Sequence, residues 1–175
     1  MINDQMIKRL EKEFEQVQNA IDEGVIDNIT VAIQYENNSA NYTKWDVVIY
    51  GRENTIWQGG EFAGTLEFPQ NYPTVSPTYT WKLYSKNRFL HMNIYSSGKT
   101  CIDILNDKIG YSPAKTCVEI LKALEDFLYR PNPKSPTNAE LAKIFEQDLP
   151  KYELMIKEFV QKYMEEKKIA EQKKK

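Results

Sequence analysis

Apolar residues at Met6, Leu10, Phe14, Val17 and Ile21 recur at steps of four, four, three and four, the spacing of one stripe along an amphipathic helix. Lys8, Arg9 and Lys12 give the opposite face a basic character. From Ile29 the period shortens to two. Thr30 to Tyr35 is rich in β-formers; Trp45, Val47 and Ile49 alternate with Asp46, Val48 and Tyr50. Phe62, Gly64, Leu66 and Phe68 alternate with Ala63, Thr65 and Glu67, and Tyr79 to Tyr84 is aromatic and β-branched. Asn37-Asn38, Gly51 and Gly59-Gly60 punctuate these runs, which predicts a four-stranded antiparallel meander whose aromatic residues fill a core.

Between His91 and Leu105 neither period holds. Helical spacing returns after Ser112, a candidate N-cap with Pro113 at the first helical position, and Ile120, Leu121, Leu124, Phe127 and Leu128 form its apolar face. Cys117 falls in this helix and reads as a small buried hydrophobe. Pro131 and Pro133 end it. Thr137 with Glu140 makes a capping-box pattern ahead of Leu141, Ile144 and Phe145, and Pro150 opens a last helix carrying Tyr152, Met155, Ile156, Phe159 and Tyr163. Charged residues past about Lys167 are expected to fray. One α+β domain over residues 1–166 and a charged tail over 167–175 follow, with helices on one side or end of the sheet.

Composition changes this picture little. A net charge of -2 and 41% hydrophobic residues give no global case for nucleic acid or membrane binding. The amino terminus reads as neither signal nor transit peptide, and no apolar run nears the roughly 20 residues that span a bilayer, so a cytoplasmic or nuclear location is expected. Cys101 and Cys117 lack paired metal-ligand spacing, so neither a metal nor a cofactor is expected.

The aperiodic stretch holds the candidate chemistry. His91, Asn93, Ser97-Gly98, Cys101 and Asp103 crowd within fifteen residues, and polar groups gathered on irregular backbone mark a site. A cysteine with a histidine nearby fits a hydrolase nucleophile and base. The spacing, however, closely resembles the ubiquitin-conjugating enzymes, whose signature is His-Pro-Asn, a short glycine-containing loop, then the thioester cysteine with a hydrophobic residue, often Asp, and Ile-Leu. The resemblance extends to Trp57-Gln58-Gly59-Gly60, to Phe68-Pro69 with Tyr72-Pro73 and Ser76-Pro77, to Ser112-Pro113-Ala114 and to Pro131-Asn132-Pro133, in family order over roughly residues 6 to 164.

This resemblance implies a UBC-like fold: an N-terminal helix, the meander, the active-site loop and three C-terminal helices. It implies that Cys101 accepts the modifier's terminal glycine as a thioester, which a lysine amine then attacks. Asn93 is implied either as an oxyanion donor or as the group holding the loop, Asp103 as the residue orienting the incoming lysine, and His91 as a structural anchor. Ile102, Ile104 and Leu105 are expected to support the cysteine from below. Lys8, Arg9 and Lys12 match the surface shown to the activating enzyme; Thr74, Pro113 and Ala114 fall in the ligase-binding loops, and Ser135 at the gateway position.

Met92 replaces the family proline, which frees a φ angle and predicts a more mobile loop. About four extra residues lie between Trp81 and Arg88 and about two between Leu105 and Ser112, and Arg52 and Ile56 also stand where prolines are usual. Lys122 and Asp126 occupy positions on the second helix that are often small or apolar. The extension before Ser112, with Tyr95 and Ser97, resembles the SUMO-conjugating enzyme; Asp103 and Asn132-Pro133 lean towards ubiquitin. The expectation is therefore an active ubiquitin-conjugating enzyme with activating enzyme, RING-type ligase and protein substrates as partners. Alternatives are an enzyme for a ubiquitin-like modifier such as SUMO, a weakly active binding module of the same fold, and the cysteine hydrolase.

Overall fold

A computed structural model describes residues 4–85 and 88–173. The chain runs α1 (Asp4–Asp22), β1 (Ile29–Glu36), β2 (Ser39–Tyr50), β3 (Glu61–Glu67), β4 (Thr78–Trp81), a 3-10 turn (Asp103–Leu105), α2 (Cys117–Phe127), α3 (Ala139–Gln147) and α4 (Leu149–Gln172). The four strands pair antiparallel in sequence order, the meander that the alternating runs predict.

Met6, Leu10 and Val17 are buried on α1 as the apolar stripe requires, but Glu13 and Ala20 complete the line, while Phe14 and Ile21 pack at its side. The helix stops in a Schellman turn: Val25 N–H donates to the Ala20 carbonyl at 2.8 Å and Gly24 N–H to Ile21 at 3.1 Å, with Gly24 at φ +68°. Asn37 and Asn38 both take positive φ, the two-residue turn whose twist suits a hairpin. β2 starts at Ser39, earlier than its alternation shows, because a register shift after Ile33 loops out the residues between Asn41 and Trp45.

Trp45, Val47, Ile49, Phe62, Leu66, Tyr79 and Trp81 turn the buried side of the sheet towards the helices. At one end of this core α4 sets Phe159 and Tyr163 edge-on against Phe89, with ring centroids 4.9 and 5.5 Å apart. Such pairs add about 0.5–1.5 kcal/mol beyond the area they bury.

Three local expectations are corrected. The α2 N-cap is Thr116 rather than Ser112: its side chain accepts from Glu119 N–H and Glu119 returns the bond, so Ser112-Pro113 lies in a turn ahead of the helix. For α3 the cap is Asn138, because Thr137 spends both its N–H and its hydroxyl on the Met92 carbonyl. The chain beyond Lys167 does not fray: α4 continues to Gln172, and Lys167 is buried against Glu61, whose N–H meets Met164 Sδ at 3.2 Å. Lys174 and Lys175 lie outside the described residues, as do Lys86 and Asn87 of the insertion before Arg88.

Candidate active site

The loop from Phe89 to Leu105 is stitched to the end of β4. Trp81 N–H donates to the Gly98 carbonyl at 2.9 Å, Tyr95 N–H to Lys99 at 3.0 Å and Cys101 N–H to Asn93 at 3.0 Å. Single bridges join Thr80 with Lys99 and Ile94 with Thr100. Gly98 sits at φ +84°, and a Cβ there would meet the Trp81 carbonyl oxygen at 2.4 Å, so only glycine fits the turn.

His91 is fully buried, stacked on Phe127 at 4.4 Å between centroids. Both ring nitrogens are occupied: Asn93 N–H donates to Nδ1 at 3.1 Å, and Nε2 lies 3.1 Å from the Phe127 carbonyl, to which it donates. Burial lowers its pKa from 6.5 to about 4, outweighing the bond to Phe127 that favours the charged form. The ring is a neutral strut between the loop and the end of α2.

Asn93 is 2% exposed and its amide is fully engaged. Nδ2 donates to the carbonyls of Asn132 (2.9 Å) and Ser135 (3.1 Å), while Oδ1 accepts from Asn132 N–H at 2.8 Å. Met92 is buried, and its carbonyl accepts from Thr137 N–H at 2.7 Å, Asn138 N–H at 3.1 Å and the Thr137 hydroxyl at 3.1 Å. Three hydrogen bonds thus fix the backbone where a proline ring would, and the expected mobility is not needed to accommodate Met92.

Cys101 is half-buried at a cavity of about 320 Å³, whose walls include Asn93, Asp103, Asp126, Arg130 and Ser135. Asp103 is exposed at the start of the 3-10 turn, and Ile102, Ile104 and Leu105 are partly buried against the core beneath it. The extension that follows is tied down. The Asn106 carbonyl accepts from Ile109, Gly110 and Tyr111, Asp107 accepts from Ser76 N–H at 2.7 Å, and the Tyr111 hydroxyl donates to the Pro73 carbonyl at 2.8 Å.

Two buried carboxylates were not legible as site residues. Glu13 accepts from Arg9 Nε at 2.7 Å, from the Tyr72 hydroxyl at 2.7 and 2.8 Å, and from Cys117 Sγ at 2.7 Å. Arg9 also donates to the Pro113 carbonyl at 3.1 Å. One carboxylate therefore gathers α1, the Tyr72–Thr74 segment and the start of α2, and it withdraws Arg9 from the basic face, leaving Lys8 and Lys12 exposed beside the gathered Thr74, Pro113 and Ala114. Cys117 is 1% exposed, and burial pushes its thiol pKa well up. The second carboxylate is Glu125, held by Arg52, which reaches Asp126 at 2.8 Å and lies over the Tyr129 ring at 4.3 Å. The acidic residue on the cavity side of α2 is thus half of a clamp, and Arg52, where a proline is usual, is the other half. An acid at a core-facing helical position is the signal that could have revealed either.

A family model described as "Ubiquitin-conjugating enzyme" matches residues 9–160. The chain is 36% identical over 121 residues to "Ubiquitin-conjugating enzyme E2 3" of Arabidopsis thaliana, which covers 69% of this chain and 77% of the relative. It is 33% identical over 153 residues to "Ubiquitin-conjugating enzyme E2" of African swine fever virus (strain Badajoz 1971 Vero-adapted), covering 81% of this chain and 69% of that protein.

Proposed function

Because the chain belongs to the ubiquitin-conjugating enzyme family, we propose that it takes ubiquitin from the activating enzyme as a thioester on Cys101 and passes it to a substrate lysine, usually with a ligase. The observation that carries this reading is the contrast between the two thiols: Cys101 opens on a cavity with Asn93 and Asp103 in its walls, whereas Cys117 is sealed in the core. The Cys101 thiolate attacks the incoming thioester, the carbonyl moves to Sγ, and the activating enzyme's thiolate leaves. A lysine amine then attacks that carbonyl, C–N forms, C–S breaks and Cys101 is regenerated. Asp103, exposed at the mouth, orients the lysine and receives its proton. Ser135, which lines the same cavity, stands at the gateway.

The geometry favours a loop-holding role for Asn93, whose amide has both its donors and its acceptor in use on residues 132–135. Asn93→Ala leaves those backbone groups without partners at about 1–3 kcal/mol, so loading and lysine discharge should slow together while the urea midpoint falls. Discharge slowed ~100-fold with loading and stability unchanged would instead mark an oxyanion donor.

Ubiquitin is preferred to SUMO as the modifier because both relatives carry ubiquitin in their names. A hydrolase needs an imidazole nitrogen free to take the Cys101 proton, and His91 offers none. Lys8 and Lys12 face the activating enzyme, with Arg9 acting through Glu13 and Pro113. Thr74 lacks the aromatic anchor that a thiol-relay ligase would bury, worth roughly 1.5–3 kcal/mol, while the exposed Pro113 and Ala114 suit RING-type ligases. Work of this kind belongs in the cytoplasm or nucleus.

The test is incubation with activating enzyme, ATP and a panel of modifiers, followed by a chase in excess lysine or cysteine. A reductant-sensitive ubiquitin adduct that lysine discharges is expected. Adducts with SUMO alone, or discharge to cysteine with lysine inert, would overturn the choice of modifier or of ligase class, and no adduct with any modifier would overturn the function.

A further inference from the structure

The bridges and hydrogen bonds around Gly98–Cys101 hold the chain in extended form into Cys101, and Ile102 continues it with φ -135° and ψ 138°. In extended backbone, residues two apart project to the same face. Lys99 and Cys101 therefore project to one face of this segment, with about 6–7 Å between their Cα atoms at a rise of roughly 3.3 Å per residue, and Asp103, at the start of the 3-10 turn, lines the same cavity as Cys101. Lys99 is exposed, and its ammonium has no ion pair or hydrogen bond among the described residues, unlike those of Lys44, Lys115 and Lys167. Its flexible four-carbon stem gives it a reach of about 6 Å.

We propose that Lys99 is a self-modification site: in the loaded enzyme its amine is acylated by the thioester on Cys101 of the same molecule. The inference rests on the thioester reading above. The Lys99 ammonium gives a proton to water or to the Asp103 carboxylate, and the free amine attacks the thioester carbonyl. The C–N bond forms, the C–S bond breaks, and Cys101 leaves as thiolate, so the modifier's terminal carbonyl ends as an isopeptide two residues from the empty thiol. No oxidant or additional acceptor is consumed. The product carries a folded modifier over Cys101 and cannot be readily recharged, so an enzyme loaded without a substrate retires itself, which makes idle charging self-limiting.

The probe is ubiquitin with every lysine replaced by arginine, loaded by activating enzyme and ATP, with loading then stopped and no acceptor added. The expected result is conversion of the thioester into a reductant-resistant single adduct that maps to Lys99. Its rate is unchanged on tenfold dilution, as a reaction within one molecule requires. Lys99→Arg keeps the charge but removes the nucleophile, so the adduct is lost and the thioester persists; Lys134→Arg, at an exposed lysine next to Ser135 in the chain, leaves the adduct in place. A thioester that only hydrolyses, an adduct that survives Lys99→Arg, or a rate proportional to enzyme concentration overturns this inference alone. Failure to form any thioester overturns it together with the proposed function.

Discussion

A Cys101→Ala protein is expected to take up no modifier, and Cys101→Ser to trap a reductant-resistant ester, whereas Cys117→Ser should still load as a reductant-sensitive thioester. The expectation follows from access and from leaving-group chemistry. Cys117 Sγ is enclosed at 1% exposure between the Glu13 carboxylate and the Tyr72 hydroxyl, so a protein-bound thioester cannot approach it. Burial and the neighbouring carboxylate also push its pKa up, which keeps it a thiol, and the thiol is the poor nucleophile of the pair. Cys101, only half-buried and lining its cavity, stands open to the incoming thioester. Serine in its place attacks more slowly, and once acylated it must expel an alkoxide, a far worse leaving group than a thiolate, so the adduct accumulates. Non-reducing and reducing gels of the three variants after incubation with activating enzyme and ATP decide the matter. A reductant-sensitive adduct on Cys101→Ala that disappears in the Cys101→Ala, Cys117→Ser double variant would transfer the role to the buried thiol.

The elements whose signal is local were readable in the sequence. The Met6–Leu10–Val17 stripe, the Asn37-Asn38 turn and the alternation of β3 each rest on neighbours along the chain, and each stands where the pattern puts it. The misses share a different cause. Glu13, Glu125 and Lys167 occupy core-facing helical positions, and a charge there reads as a break in the apolar stripe. Each is tolerated because a partner arrives from afar: Tyr72 and Cys117 to Glu13, Arg52 from the β2–β3 connection to Glu125, and Glu61 of β3 to Lys167. Nothing within one helix turn announces those partners. The same holds for the caps. Thr137 has the better local pattern, and it loses to Asn138 because the Met92 carbonyl, 45 residues away, claims it.

Of the candidate site, Cys101, Asn93, Asp103 and Ser135 were placed in one neighbourhood by resemblance, and the structure sets them around one cavity. What the sequence left open was the use of each side chain. An asparagine amide serves equally as an oxyanion donor or as a brace, and no local signal announces the three backbone groups of Asn132 and Ser135 to which the Asn93 amide is bonded.

Lowering the pH from 7 to 5 should cost the folded protein about 2 kcal/mol through His91 alone. The folded-state pKa, near 4, lies below the unfolded value of 6.5. Between those values the unfolded chain binds a proton that the native protein refuses, so stability rises with pH across the window. The contribution is complete above 6.5, falls by about 1.4 kcal/mol per pH unit below it, and has been lost by pH 4. Because His91 is the only histidine, no second imidazole titrates there. Urea midpoints at pH 7 and pH 5 should therefore separate in the native protein and converge in His91→Gln, whose amide can still donate to the Phe127 carbonyl. Proton resonances of the His91 ring give a readout that does not depend on that variant folding, and they should report a neutral ring down to pH 5. A ring that titrates near 6.5 in the folded protein would mean that the imidazole is open to water, which would return it to contention as a base for Cys101. A ring that stays neutral confines it to bracing the loop against α2, and the proton of the incoming lysine is left to Asp103 and solvent.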